Sequence, residues 1–218
     1  MISGASNLAN TVDSVFLLIS SICVGLLVIV TSVMVYFVIR YNRKKNLTPS
    51  DIESNTPLEI IWTVIPTILV LAMFYYGFIG FKIIRKVPKD AMVIKVTGHM
   101  WAWQFEYENG KQSNILNLPE EKPVKLELSS WDVIHSLYIP AFRVKEDAVP
   151  GKKNYLWFEP TKVGTYNIFC AEYCGQGHSS MLARAVVMPE NDFNEWMGSK
   201  SSNTKNQIAN KTRITKSK

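Results

Sequence analysis

Hydrophobic and polar positions divide the chain into three stretches with different periods. Val15 to Ile39 carries no charged residue and is mostly Val, Ile, Leu, Phe and Met. Ile60 to Phe81 is likewise free of charge. A bilayer core is crossed by ~20 apolar residues in a helix, so each run predicts a transmembrane helix, at 15–40 and 58–81. From Ala91 the period falls to two. Met92, Ile94 and Val96 alternate with Val93, Lys95 and Thr97; Trp101, Trp103, Phe105 and Tyr107 alternate with Met100, Ala102, Gln104 and Glu106. Further strands are predicted at 124–128, 133–138, 153–158, 164–169 and 183–188. Asn109-Gly110, Pro119, Pro150-Gly151 and Gly164 punctuate them. Residues 90–196 therefore predict an all-β Greek-key sandwich or barrel. Asn191 to Trp196 predicts a short helix. Residues 197–218, rich in Lys, Ser, Asn and Thr, predict a basic disordered tail.

Local signals orient the apolar runs. Residues 1–14 contain one charge, Asp13, and no Lys or Arg, unlike the basic start of a secretory signal. They are expected to form a short extracytoplasmic tail before an uncleaved anchor. Arg40, Arg43, Lys44 and Lys45 follow the first run and place the 41–57 loop in the cytoplasm by the positive-inside rule. Lys82, Arg85, Lys86 and Lys89 after the second run argue the other way, but long domains cross regardless of charge. Thr56, Pro57 and Glu59 read as N-cap, first-turn proline and capping-box glutamate of the second helix. Cys23 reads as a small packing residue.

Charge separates the regions further. The formal net charge is +6. Residues 1–89 hold eight Lys/Arg against four Asp/Glu, residues 90–199 ten against fourteen, and residues 200–218 six against none. The β-region is thus acidic and suited to a basic soluble partner. The basic flanks suit anionic lipid, and no basic folded face with interleaved aromatics supports nucleic-acid binding.

The chemistry concentrates in Cys170-Ala171-Glu172-Tyr173-Cys174-Gly175-Gln176-Gly177-His178-Ser179-Ser180-Met181. Two thiols, an imidazole and a thioether share twelve residues, and His135 lies upstream. Soft sulfur with imidazole selects copper over hard cations. A distant His followed by Cys-x3-His-x2-Met is the order of a blue-copper site, and Cys170 adds a second thiolate able to bridge two ions. A Cys170–Cys174 disulfide and a zinc site are the alternatives; neither accounts for His178 and Met181 at this spacing.

At Cys-x-Glu-x-Cys-Gly-x-x-His-x-x-Met with upstream Ile134-His135-Ser136, the chain resembles the CuA subunit, subunit II, of cytochrome c oxidases. The likeness runs from the first apolar run to about Trp196. It implies two transmembrane helices followed by a cupredoxin-like domain. It implies a binuclear copper centre on His135, Cys170, Cys174, His178 and Met181, with the Glu172 backbone carbonyl as a further ligand. It gives the Glu172 carboxylate a role in holding Mg²⁺ or Mn²⁺ at the boundary with the catalytic subunit. It marks Trp101 as the point of electron entry, Asp147 as part of the donor-docking surface, and Glu59 as the mouth of a proton channel, although capping alone also explains Glu59. Implied partners are cytochrome c, the haem-copper subunit I, subunit III and the bilayer. The bacterial plasma membrane is favoured over the mitochondrial inner membrane, with the copper domain on the periplasmic side.

Other readings differ in class. A quinol oxidase subunit lacks these ligands. A nitric oxide reductase CuA subunit shares the loop. A membrane-anchored metallochaperone would use fewer, exchangeable ligands. Nitrous oxide reductase would carry a large catalytic domain ahead of the copper domain. No Cys-x-x-Cys-His is present, so no haem is expected on this chain.

Overall fold

The computed structural model describes residues 4–44, 46 and 54–199. Residues 200–218 of the predicted 197–218 tail and residues 45 and 47–53 of the 41–57 loop lie outside the described residues. Two long helices come first: α1, Ala9–Arg40, and α2, Thr56–Arg85. At 32 and 30 residues both are long and apolar enough to cross a membrane. They extend past the charge-free runs at both ends, because the bilayer limits which residues are apolar, not where a helix must stop. The N-cap of α2 is Asn55, not Thr56. Asn55 Oδ1 accepts from Leu58 N at 3.2 Å, and Glu59 Oε1 accepts from Asn55 N at 3.4 Å. The cap is therefore one residue earlier than the Thr-x-x-Glu pattern indicates, and Glu59 closes it from the first turn.

The remaining described residues fold as ten strands followed by a short helix. These are β1 (Met92–His99), β2 (Ala102–Glu106), β3 (Gln112–Ser113), β4 (Ile115–Pro119), β5 (Val124–Ser130), β6 (His135–Ile139), β7 (Val144–Ala148), β8 (Asn154–Phe158), β9 (Gly164–Cys170), β10 (Leu182–Met188) and α3 (Glu190–Gly198). Two five-stranded sheets result, ordered β3-β2-β1-β5-β8 and β4-β10-β9-β6-β7. The β1–β5 and β4–β10 pairs are parallel and the others antiparallel. This is a cupredoxin-like sandwich with crossovers between its sheets. Alternation explains the core: Ile94 and Val96 from β1, Trp103 and Phe105 from β2, Leu126 and Leu128 from β5, and Leu137 and Ile139 from β6 are buried. Pro119 ends edge strand β4, where the missing N–H costs no ladder bond. Trp101 falls outside β2 and remains 40% exposed, so the aromatic stripe is core only from Trp103 onward.

Sequence period missed three strands. Residues of β4 are buried on both faces and do not alternate, β7 is Val-Lys-Glu-Asp-Ala and reads as a surface turn, and β3 is two residues long. Asp147 accordingly sits in a strand, opposite Ser136 of β6.

The chain divides into Thr11–Ile83 and a second unit joining Met1–Asn10 to Ile84–Lys218. The amino-terminal residues thus belong with the sandwich. Ala5 N donates to Ala141 O at 2.8 Å, Thr161 N to Ala5 O at 3.0 Å, and Ser6 Oγ to Phe142 O at 2.8 Å. Asn7 exchanges two bonds with Glu159. Ala5 and Leu8 are buried in the core. Leu8→Ala should therefore lower the stability of the sandwich in the detergent-solubilised full chain by about 2–3 kcal/mol. Leu17→Ala, half-exposed on α1, should not. Thermal unfolding followed by tryptophan fluorescence decides; equal effects of the two would refute the docking.

Candidate metal centre

Backbone pairing assembles the site before any ligand is considered. His135 opens β6 and Cys170 closes β9. These strands are antiparallel neighbours, with Leu137 opposite Cys170, and Ala171 N donates to Ser136 O at 2.9 Å. Cys170 Sγ thereby comes within 3.9 Å of His135 Nδ1. The chain then loops back to β10, which pairs with β9 through Leu182 opposite Phe169. Cys170 N donates to Met181 O at 3.2 Å. Between them a tight turn, His178–Ser180, is closed by His178 N to Gly175 O at 3.1 Å and Met181 N to His178 O at 3.2 Å.

Six donor groups converge here. His135 Nδ1 and the Glu172 carbonyl, at 3.3 Å, lie against Cys170 Sγ. His178 Nδ1, at 3.6 Å, and Met181 Sδ, at 3.8 Å, lie against Cys174 Sγ. The sulfurs face each other across 3.8 Å. Both thiols are free, and this gap is far beyond the ~2.05 Å of a disulfide. An ion ~2.3 Å from each sulfur would span the 3.8 Å edge at about 110°. The donor set fits copper: two soft thiols, two imidazoles, a thioether and one carbonyl oxygen. His135, Cys170 and Cys174 place donor atoms within 4.8 Å of one another, a trio that does not include His178.

The centre is sealed from one side. His135 and Met181 are fully buried, and Cys170 and Cys174 nearly so. Burial first, and the adjacent Cys170 second, push the Cys174 thiol up to about 11. A cation entering here displaces thiol protons.

Asp132 is a site residue that sequence reasoning missed. Its Oδ1 lies 2.8 Å from His135 Nε2 and accepts from Val133 N at 2.7 Å; its Oδ2 accepts from Met100 N at 2.7 Å. Burial alone would raise its pKa, but the bonds from His135, Met100 and Val133 outweigh burial and hold the carboxyl well below the usual range. The ionised Asp132 fixes the Nε2–H tautomer and leaves the Nδ1 lone pair for a metal. The available signal was the Asp-x-x-His spacing.

Trp101 lies over the ligand loop. Its Nε1–H donates to the Cys174 carbonyl at 3.2 Å. A Cβ on Gly177 would come 2.3 Å from Trp101 Cδ2, so only glycine leaves room for the indole. Gly175 adopts φ +112°, which glycine tolerates. The Glu172 carboxylate accepts from Lys145 Nζ at 2.9 Å, and Lys145 also lies 4.0 Å from exposed Asp147. Glu59 belongs to the cap of α2, in the other unit. His99 stacks on the exposed Trp131 at 5.5 Å, consistent with a surface role.

Removing the His135 orienter should weaken copper retention. Asp132→Ala in the full chain is expected to lower copper affinity by about 10–100-fold in chelator competition. An unchanged affinity would refute the orienting role.

Known proteins resemble this chain over both of its halves. The profile of the cytochrome c oxidase subunit II transmembrane domain matches residues 1–79, and that of the subunit II periplasmic domain matches residues 111–188. The chain is 32% identical to a probable cytochrome c oxidase subunit 2 of Rickettsia bellii, covering 83% of this chain and 76% of that protein. A probable cytochrome c oxidase subunit 2 of Rickettsia conorii is 32% identical, covering 85% of this chain and 66% of that protein. The chain thus spans about two thirds of the length of such curated relatives. The crystal structure of the periplasmic domain of subunit II of the cytochrome oxidase of Bradyrhizobium japonicum is 33% identical, covers 51% of this chain and 94% of that chain, and superposes with a TM-score of 0.48. With both halves of the chain matched, and a relative aligned over three quarters of its length, this chain belongs to the cytochrome c oxidase subunit II family.

Proposed function

We propose that this chain is the electron-entry subunit of a bacterial cytochrome c oxidase, accepting electrons from cytochrome c for delivery to haem in a catalytic subunit I that reduces oxygen to water and translocates protons. The single observation that carries the reading is the convergence of two imidazoles, a thioether and a carbonyl on two free thiols 3.8 Å apart. His135, Cys170, Cys174, His178, Met181 and the Glu172 carbonyl would hold the copper. Bound copper would supply one-electron chemistry at this buried, sulfur-rich site.

The chain's own residues prepare that chemistry. Asp132 holds His135 in the ligating tautomer. Trp101 is part-exposed and bonded through Nε1–H to the carbonyl of a ligand residue, which makes it the surface end of a path to the centre. The excess of acidic over basic residues in 90–199 favours a basic donor, and the exposed Asp147 fits its docking surface. The Glu172 carboxylate is this chain's contribution to a shared Mg²⁺ or Mn²⁺; its Lys145 partner would share or yield it. The chain needs no haem of its own. The two helices would anchor it in the bacterial plasma membrane against subunit I and beside subunit III, and Glu59 would open a proton channel. The sandwich would lie on the periplasmic side, with the 41–57 loop cytoplasmic. Arg85 supports that placement despite its charge: it pairs with Glu146 at 2.9 Å, donates to Tyr155 O and stacks on the Tyr155 ring.

Stopped-flow reduction of the copper-loaded oxidase by reduced cytochrome c tests the proposal. The wild-type rate should fall on the order of tenfold as salt shortens the Debye length from ~30 to ~8 Å. Trp101→Phe should slow reduction at every salt concentration with copper content unchanged. A rate indifferent to both would contradict electron entry at this face.

A further inference from the structure

The ligand loop is tied down at each side of Glu172. Ala171 N donates to Ser136 O, and the Cys174 carbonyl accepts from Trp101. Glu172 sits between these anchors and is itself held through its side chain: Lys145 Nζ donates to Glu172 Oε1 at 2.9 Å. Lys145 comes from β7, two strands from β9 in the order β9-β6-β7. Its register partner is Tyr138 of β6, whose other partner is Phe169 of β9. The lysine side chain therefore crosses β6 to reach a residue just past the end of β9. The carbonyl of Glu172 is the oxygen lying 3.3 Å from Cys170 Sγ.

We propose that Lys145 is a positioning residue for the metal centre: by clasping the Glu172 carboxylate it sets where the Glu172 carbonyl stands relative to Cys170. This inference rests on the copper reading above. Both side chains are nearly half exposed, so the pair adds little to stability. Its effect is geometric, because it restrains a loop residue that offers a weak oxygen ligand. In copper–thiolate sites a weak axial ligand tunes the reduction potential. Hard oxygen favours the more highly charged oxidised state, so loosening the carbonyl raises the potential.

A double-mutant cycle on the copper-loaded full chain in detergent separates this clasp from a through-space effect of charge. Lys145→Met and Glu172→Met each break the clasp, since neither thioether side chain can form the Nζ–carboxylate bond. Each should raise the midpoint potential by a similar amount, and the double variant should shift no further than either single one. Lys145→Arg should restore the wild-type value. Charge acting through space gives another pattern: losing the cation lowers the potential, losing the anion raises it, and the double variant returns near wild type. That pattern, or no shift in either single variant, overturns the proposal. Copper loss in Lys145→Met supports the clasp if Lys145→Arg reverses it and overturns it otherwise. Electron paramagnetic resonance and a copper count on wild type test the underlying copper reading separately; a wild type without two coppers removes that reading and this inference with it, whereas a loaded wild type with an unshifted Lys145→Met potential removes only the inference.

Discussion

Hydrogen bonding among three adjacent strands, β6, β9 and β10, holds half the donors of the candidate centre. His135 is the first residue of β6, Cys170 the last of β9, and Met181 the residue before β10. The bonds Ala171 N to Ser136 O and Cys170 N to Met181 O tie these three ends together. The sheet thereby fixes three donors at once, and the loop needs to place only the side chains of Cys174 and His178 and the Glu172 carbonyl. That division explains the tight turn and the glycines at 175 and 177: a ten-residue excursion must bring two side chains back onto a centre already set by backbone pairing.

A preorganised site of this kind carries a cost. Two thiols, an imidazole and a thioether are withdrawn from water, and the Cys174 thiol resists ionisation as a result. Asp132 offsets part of the cost. It supplies an ionised acceptor for His135 Nε2 and is itself satisfied by the Met100 and Val133 amides. The same bond to Met100 anchors the residue next to Trp101. The orienter of a ligand and the surface aromatic are thus joined through one carboxylate, so the imidazole and the indole are positioned together.

Much of the fold was legible because burial is periodic. The apolar runs mark α1 and α2, and alternation marks β1, β2, β5, β9 and β10. β4 was hidden because both of its faces are buried, and β7 because charged residues fill it. The docking of Ala5 and Leu8 was hidden because it depends on partners more than 130 residues away. At the site, spacing within one loop announced that Cys170, Cys174, His178 and Met181 could converge. Asp132 was signalled only by its spacing to His135, and spacing could not announce that Lys145 reaches the loop, since it comes from a strand outside it. Trp101 looked like a core position by period, and only its place beyond the start of β2 shows it against Gly177.

The central claim is that two thiols, facing each other at 3.8 Å, hold two coppers between two imidazoles. The most direct measurement is a copper count on the purified, copper-reconstituted full chain together with its electron paramagnetic resonance spectrum. One unpaired electron shared equally by two copper nuclei gives a seven-line hyperfine pattern with two coppers per chain, which is the predicted result. A four-line pattern with a single copper would contradict it and reduce the site to a mononuclear one.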